Sequence, residues 1–329
     1  MKVGVIGSGG REHAICLGLK NSSKIEKIYC FPGNAGTSEI AENVILNLDN
    51  FESIKNFILD NQIDMIVIGP EKPLVDGLVD FLESFNINVF GPNKIASQLE
   101  GSKIFTKQIC QKYNIPTAKF GIFQNKDSAK SFLENTKYPT VIKADNLASG
   151  KGVYICNSYK EANTAINEIF DGKFGVANNL LIEEFLQGEE MSYFIISDGI
   201  NFKNFGTAQD HKKVGVGDVG PNTGGMGAYS PSRLENKILD KKIIDKIIKP
   251  TLKGLKDEKI KFKLLRVYWY QKCEMVLFIS EKESKLPVFK SYQSTRVECI
   301  FNKTVEEILE IIDRLFTQLL CPNIKTGSI

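Results

Sequence analysis

Short apolar runs alternate with helical patterns from the first residues of the chain. Lys2 to Ile6 (KVGVI) is an apolar run that stops at Gly7-Ser8-Gly9-Gly10, and Glu12 to Lys20 then carries a helical pattern. This reads as strand, glycine turn, helix. Lys27 to Cys30, Met65 to Ile68 and Val89 to Phe90 are further candidates for buried strands, with helical stretches at 51–60 and 74–85 between them. Strands alternating with helices predict an α/β unit with a parallel sheet and right-handed crossovers, ending near Gly101.

A second alternation follows. A helical pattern runs from Ser102 to Tyr113 and breaks at Ile115-Pro116; strand candidates come at 140–143, 153–156, 180–183 and 191–196. The stretch 206–231 is rich in Gly, Asp, Asn, Thr and Pro and is too long for an ordinary connection, so it is predicted as a functional loop. A helix is expected from Leu234 to Leu255, interrupted at Pro250, and strand-like runs recur at 264–270 and 275–280.

Composition narrows the function. At 329 residues the chain exceeds what one hydrophobic core supports, so two or three domains are expected. Lys plus Arg number 42 against 39 Asp plus Glu, and this small excess gives little drive towards nucleic acid or an anionic membrane. No segment is apolar and long enough to span a bilayer. The chain enters a strand pattern without the basic and apolar regions of a leader, so the expected location is the cytoplasm. Its seven cysteines form no C-x-x-C pair and are expected to be buried free thiols of a reducing compartment.

The candidate chemistry sits at glycine loops and strand ends. Gly7 to Gly10 offers bare backbone at a helix N-terminus, where N–H groups and the dipole can hold a phosphate. It fits G-x-G-x-x-G only in part, because Glu12 takes the sixth position. A second loop, Phe31 to Thr37, is expected at the same sheet edge, and two such loops suit a phosphosugar better than a dinucleotide. By this reasoning alone both also read as tight turns. Glu71, after the third strand, is placed to meet a substrate hydroxyl or amine, or to be a solvated turn residue.

Lys103, Lys143 at a strand end and the loop Ala148-Ser149-Gly150-Lys151-Gly152 suggest point charges and a lid for a triphosphate. The loop precedes a strand and lacks the P-loop pattern. Glu183, Glu184, Phe185 and Leu186 lead from a strand into a bend whose backbone can read an adenine edge, and a following carboxylate, Glu189 or Glu190, can take ribose hydroxyls. Neither His13 nor His211 is assigned to proton transfer.

The motifs GSGGREH, FPGNAGT, GPEKPL, GPNKIASQLEGSK, IKADNLASGKGV, IEEFLQGEE, TAQDHKKVG and GPNTGGMGAYSP stand in the order and spacing of a known family. Over residues 1–263 the chain resembles the phosphoribosylamine-glycine ligases of the ATP-grasp superfamily. The resemblance implies a Rossmann-like domain (1–101), an ATP-grasp domain (102–310, with a lid at 118–190) and a divergent tail (264–329), the family's C-terminal domain being truncated or altered. It implies ligation of glycine to 5-phosphoribosylamine with ATP and Mg²⁺ or Mn²⁺, through a glycyl phosphate, by a monomer with no nucleic acid or membrane partner. By the same resemblance Lys103, Lys143, Ser149, Gly150, Lys151 and Gly152 hold phosphates, while Glu183 to Leu186 and Glu190 hold the nucleoside. Gly9, Gly10, Asn34 and Glu71 face the phosphosugar. Asp210, Lys213, Asp218 and Asn222 are the catalytic candidates, lined by Gly220, Pro221, Thr223, Gly224, Gly225 and Met226.

After Lys263 the family's metal-binding run E-[FY]-N-x-R-x-G-D-P-E is not found. Glu274, Glu281 and Glu283 are the carboxylates nearest its expected place. The rival expectation is a catalytically impaired module that still binds ATP or a phosphosugar.

Overall fold

The computed structural model describes residues 1–145, 152–175, 178–189, 191–197, 202–217, 219–260 and Arg266–Val267. The first ninety residues build a five-stranded parallel sheet. In chain order its elements are β1 (Lys2–Gly7), α1 (Gly10–Lys20), β2 (Lys27–Pro32), β3 (Glu42–Asn43), α2 (Phe51–Asp60), β4 (Met65–Ile68), α3 (Glu71–Asp76), α4 (Leu78–Glu83) and β5 (Val89–Phe90). The spatial order β3-β2-β1-β4-β5 makes the chain reverse direction across the sheet between β1 and β4. Both faces are covered, which explains the near-continuous apolar runs. Val3, Val5, Cys30, Met65 and Val67 pack towards α1, while Ile6, Phe31, Ile66 and Ile68 pack towards α2 and α4.

The predicted helix at 74–85 is two short helices, because Gly77 adopts a left-handed φ of 99° that ends α3 and starts α4. The two-residue strand β3 was too short to give a periodic signal. Next come α5 (Lys94–Gly101) and α6 (Lys103–Lys112), joined through Ser102, whose Oγ accepts the N–H of Phe105 at 3.1 Å. Asn50, Asn93, Asn125, Ser158 and Asn236 cap other helices in the same way, satisfying N–H groups that have no partner within the helix.

A second sheet, antiparallel and four-stranded, combines β6 (Phe120–Phe123), β7 (Thr140–Ala144), β8 (Val153–Cys156) and β9 (Leu180–Glu184) in the order β6-β9-β7-β8. Helices α7 (Lys126–Leu133) and α8 (Tyr159–Phe170) cover one face, and Leu133, Ile142, Ile166, Leu180 and Ile182 form its core. The third sheet has the order β12-β11-β10-β13, from β10 (Ser192–Ser197), β11 (Phe202–Gly215), β12 (Val219–Tyr229) and β13 (Arg266–Val267).

Here the structure corrects the sequence reading. The stretch 206–231 was expected as a loop, but most of it is the antiparallel ladder of β11 and β12. Its glycines and prolines hid the strand signal, since they have low strand propensity. Pro250 does not interrupt the last helical run: α9 (Lys237–Ile243) passes through a π-helical turn at Ile244–Ile248 into α10 (Lys249–Asp257). A π turn relaxes the hydrogen-bond ladder where proline has no N–H to donate.

Candidate active site

The carboxyl ends of β1, β2, β4 and β5 bring the loops 7–10, 31–37, 69–73 and 91–92 to one edge, the first two together as the sequence predicted. Their fine structure differs from a phosphate-binding turn. Glu12 folds back so that Oε2 accepts the N–H of Gly9 at 2.6 Å, taking one of the groups that would otherwise meet a phosphate. The side chain is buried, and this burial raises its pKa above the usual 4.5, against the opposing pull of the Gly9 N–H and the neighbouring Arg11. Room for it comes from two glycines. A Cβ on Gly7 would lie 2.5 Å from Glu12 Cδ, and one on Gly69 would lie 1.9 Å from Oε1. Gly7 also has a φ of 127°, which side-chain-bearing residues rarely adopt.

Arg11 completes the link across the reversal point. Its Nη1 donates to the Gly69 carbonyl and Nη2 to Glu71 Oε1 at 3.0 Å, so the proposed substrate ligand Glu71 is ion-paired. Asn34 ties the first two loops together: Nδ2 donates to the carbonyls of Ser8 and Gly9 at 3.0 and 3.1 Å, while Oδ1 accepts the N–H of Thr37. Gly9, Gly10 and Asn34 therefore meet at one mouth, with Asn34 bracing the loops. Beneath it lie the buried thiols of Cys16 and Cys30, the latter 3.6 Å from the Gly7 carbonyl.

The second cluster lies where β7, β9 and α6 meet. Glu183 is 4% exposed and carries a lysine on each oxygen: Lys107 Nζ on Oε1 at 2.5 Å and Lys143 Nζ on Oε2. Lys107, 2% exposed, also donates to Thr117 Oγ1 at 2.6 Å and lies 5.5 Å from the centre of the Phe120 ring. Removing one member of such a buried pair costs about 3–5 kcal/mol, because a charge is left without its partner. Just after β7, Asp145 accepts from Ser102 Oγ and from the N–H of Ile104, each at 3.2 Å, which fixes the start of α6 and hence Lys103 against the end of β7. A carboxylate there also complements the helix dipole.

Glu183 and Glu184 commit part of the bend to the sheet. The Glu183 carbonyl accepts Thr140 Oγ1 at 2.7 Å, and the Glu184 N–H donates to the Lys119 carbonyl at 2.9 Å. Phe185 and Leu186 follow outside the ladder. Glu189 is held by Arg233, whose Nη2 reaches both carboxylate oxygens at 2.6 and 2.7 Å. Glu190 and the loop residues Ser149, Gly150 and Lys151 lie outside the described residues, while Gly152 is described and its carbonyl accepts the N–H of Ala144 at 2.9 Å.

The third element is the β11–β12 ladder. His211 pairs with Gly227 and Lys213 with Asn222, so Thr223, Gly224, Gly225 and Met226 stand opposite the single residue Lys212 and bulge from the ladder. Glycines in a bulge let backbone approach a ligand closely. Asp210, paired with Ala228, borders this bulge, and Gly220 and Pro221 belong to a second irregularity beside Val214. Its base is fixed by Tyr229 Oη and Ser232 Oγ, which donate to Gln209 Oε1 at 2.5 and 3.1 Å. Asp218, Glu274, Glu281 and Glu283 lie outside the described residues. Among the described residues no group of three or more His, Cys, Asp or Glu is placed to hold a metal ion.

The sequence reading missed Arg11, Glu12, Lys107 and Asp145 as working residues. For Lys107 a signal existed, since it lies on the same helical stripe as the buried Thr106 and Cys110. The others depend on contacts between distant loops.

Models of one family account for both halves of this arrangement. "Phosphoribosylglycinamide synthetase, N domain" matches residues 1–100, and "Phosphoribosylglycinamide synthetase, ATP-grasp (A) domain" matches residues 101–269. The chain belongs to the phosphoribosylglycinamide synthetase family. A phosphoribosylamine–glycine ligase of Mesorhizobium japonicum is 48% identical over 256 residues, 78% of this chain and 60% of that protein. One from Fusobacterium nucleatum is 38% identical over 319 residues, covering 94% of this chain and 75% of its own length. The crystal structure of a phosphoribosylamine–glycine ligase from Thermotoga maritima superposes with a TM-score of 0.68 at 33% identity, covering 80% of this chain and 64% of that one. The chain thus spans about 60% of the length of the first of these relatives. A synthetase of this family is a carbon–nitrogen ligase, and the parallel sheet followed by antiparallel ATP-grasp sheets is its fold.

Proposed function

We propose that this chain uses ATP to join glycine to 5-phosphoribosylamine, giving glycinamide ribonucleotide, ADP and phosphate. The observation that carries the reading is the meeting of Lys143, near the end of β7, with Glu183, near the end of β9 and just before Phe185 and Leu186. Family membership supplies the reaction class. The curated relatives bear the ligase name, which does not favour an impaired binding module.

In the proposed reaction a glycine carboxylate oxygen attacks the γ-phosphorus and the bond to ADP breaks, leaving glycyl phosphate. The amine of phosphoribosylamine then attacks the acyl carbon and expels phosphate, with loss of a proton from nitrogen. Lys103 and Lys143 neutralise the phosphate charge, and the backbone at 183–186 reads adenine. Asp210, Lys213, Asp218 and Asn222 orient glycine and the acyl phosphate, beside the backbone of 220–226. Gly9, Gly10 and Asn34 hold the phosphosugar, with Glu71 and its partner Arg11 at the sugar end. Such work is positioning and charge neutralisation.

A divalent cation, Mg²⁺ or Mn²⁺, supplies further neutralisation when bound in this family, and the described residues do not build its cage. We place the division between a sugar-binding domain and an ATP-grasp domain at Gly101, with the lid at 118–190. We read the protein as a cytoplasmic monomer; among the described residues no helix is long and apolar enough to cross a membrane. The test is calorimetric titration with ATP. The chain binds ATP, and Lys143→Ala weakens binding at least ~10-fold, as expected for a charged hydrogen bond of about 1.5–3 kcal/mol. Equal affinities would remove Lys143 from the phosphate site.

A further inference from the structure

We propose that Lys107 is a positioning residue that sets how readily Lys143 is given up to a triphosphate, without itself touching the nucleotide. The inference rests on the ATP site proposed above and deepens it. Lys107 is almost wholly enclosed, with its ammonium shared between Glu183 Oε1 at 2.5 Å and Thr117 Oγ1 at 2.6 Å, under the Phe120 ring. Glu183 is equally enclosed, and its other oxygen takes Lys143, which is 7% exposed at the end of β7.

Consider what nucleotide binding asks of this cluster. Lys143 has to redirect its ammonium towards phosphate oxygens and weaken its bond to Glu183. With no second cation, that movement would strand a buried carboxylate, and a buried charge without a partner is strongly disfavoured. Lys107 removes that penalty, because Glu183 keeps one cation on Oε1 throughout. The two lysines come from different elements, α6 and β7, and only Lys143 stands at a strand end, one residue before the last residue of β7. Lys107 is the fixed charge and Lys143 the transferable one. A lysine that merely held α6 against β9 would support adenosine and ATP binding alike. The proposed role acts on the phosphate end alone.

The experiment is calorimetry of the full 329-residue chain with ATP and, separately, adenosine. Lys107→Met keeps length and removes charge. It is expected to weaken ATP binding ~10-fold or more while adenosine binding changes less than ~3-fold, a difference of about 0.7 kcal/mol or more between the two ligands. In the Glu183→Gln background no carboxylate needs a partner, so Lys107→Met added there is expected to leave ATP affinity within ~3-fold of Glu183→Gln alone. Equal losses for ATP and adenosine in Lys107→Met would overturn the proposal, as would a further loss on adding Lys107→Met to Glu183→Gln. If Lys107→Met does not fold, the comparison in the Glu183→Gln background decides, and failure of that double variant to fold also overturns the proposal. A wild-type chain that binds neither ligand overturns the ATP site itself. Wild-type ATP binding unchanged by Lys107→Met overturns only the role of Lys107.

Discussion

The two ends of the proposed reaction are organised by different physics. At the mouth of the parallel sheet, loops are held by hydrogen bonds between themselves: Asn34 reaches Ser8 and Gly9, Arg11 reaches Gly69, and Glu12 turns back on Gly9. At the β7–β9 junction the frame is made of buried charge, with Glu183 between Lys107 and Lys143. The first arrangement fixes shape, because most polar groups named there are answered by a neighbour. The second holds charge ready to be redistributed, since two cations share one carboxylate. A rigid mouth suits a neutral sugar ring with one phosphate, and a redistributable charge suits a triphosphate whose terminal group departs.

The contrast can be broken most severely at Gly69. A methyl there would overlap Glu12 Oε1 at 1.9 Å, displacing the carboxyl from Gly9 and pressing on Arg11's acceptor. Overpacking and the lost hydrogen bond together are expected to cost about 3 kcal/mol, measured by urea unfolding of Gly69→Ala. Phosphosugar binding should fall with it, while ATP affinity stays within ~3-fold because the charged cluster is built on a different sheet and, among the described residues, shares no partner with Gly69 or Glu12. An equal loss of ATP affinity would show that the regions are not separable.

Asp145→Ala sharpens the other side. It removes the acceptor for Ser102 Oγ and Ile104 N–H, so α6 starts less firmly and Lys103 is released. We expect a loss of about 1–2 kcal/mol in stability, the scale of a helix cap, and weaker ATP binding in the same variant. Unfolding and nucleotide titration on one preparation check both.

How much of this was legible in the sequence depends on distance along the chain. β1, its glycine turn and α1 are local, and period and glycine placement announced them. The parallel sheet followed from strand and helix alternation, whereas the reversal between β1 and β4 became visible only in the strand order of the folded sheet. By contrast, β11 and β12 were hidden because Gly224, Gly225 and Gly227 carry no side-chain pattern, and their pairing is visible only when both strands are in place. The roles of Lys107 and Asp145 depend on Glu183 and Ser102, 76 and 43 positions away in the chain, and no local period encodes such a partner.

The smallest effect expected is on pH dependence at the mouth. Burial raises the Glu12 pKa above 4.5, so the fold favours its protonated form. The resulting stabilisation is complete below 4.5, the unfolded value, and is lost as pH rises through the folded value. Glu12→Gln stays neutral, so its stability relative to wild type should improve as pH rises above 4.5, by at most about 1.4 kcal/mol per unit of pKa difference. Unfolding curves across this range read the slope directly, and parallel curves for the two proteins would contradict the burial argument.

The central claim is that these two regions serve one reaction, and ADP formation tests it most directly. The account predicts that ADP appears only when ATP, glycine and phosphoribosylamine are supplied together with a divalent cation. Because the E-[FY]-N run is not found after Lys263, turnover is expected to be slow. ADP release that persists when glycine or phosphoribosylamine is left out, or none at all from a chain that binds ATP, would contradict it.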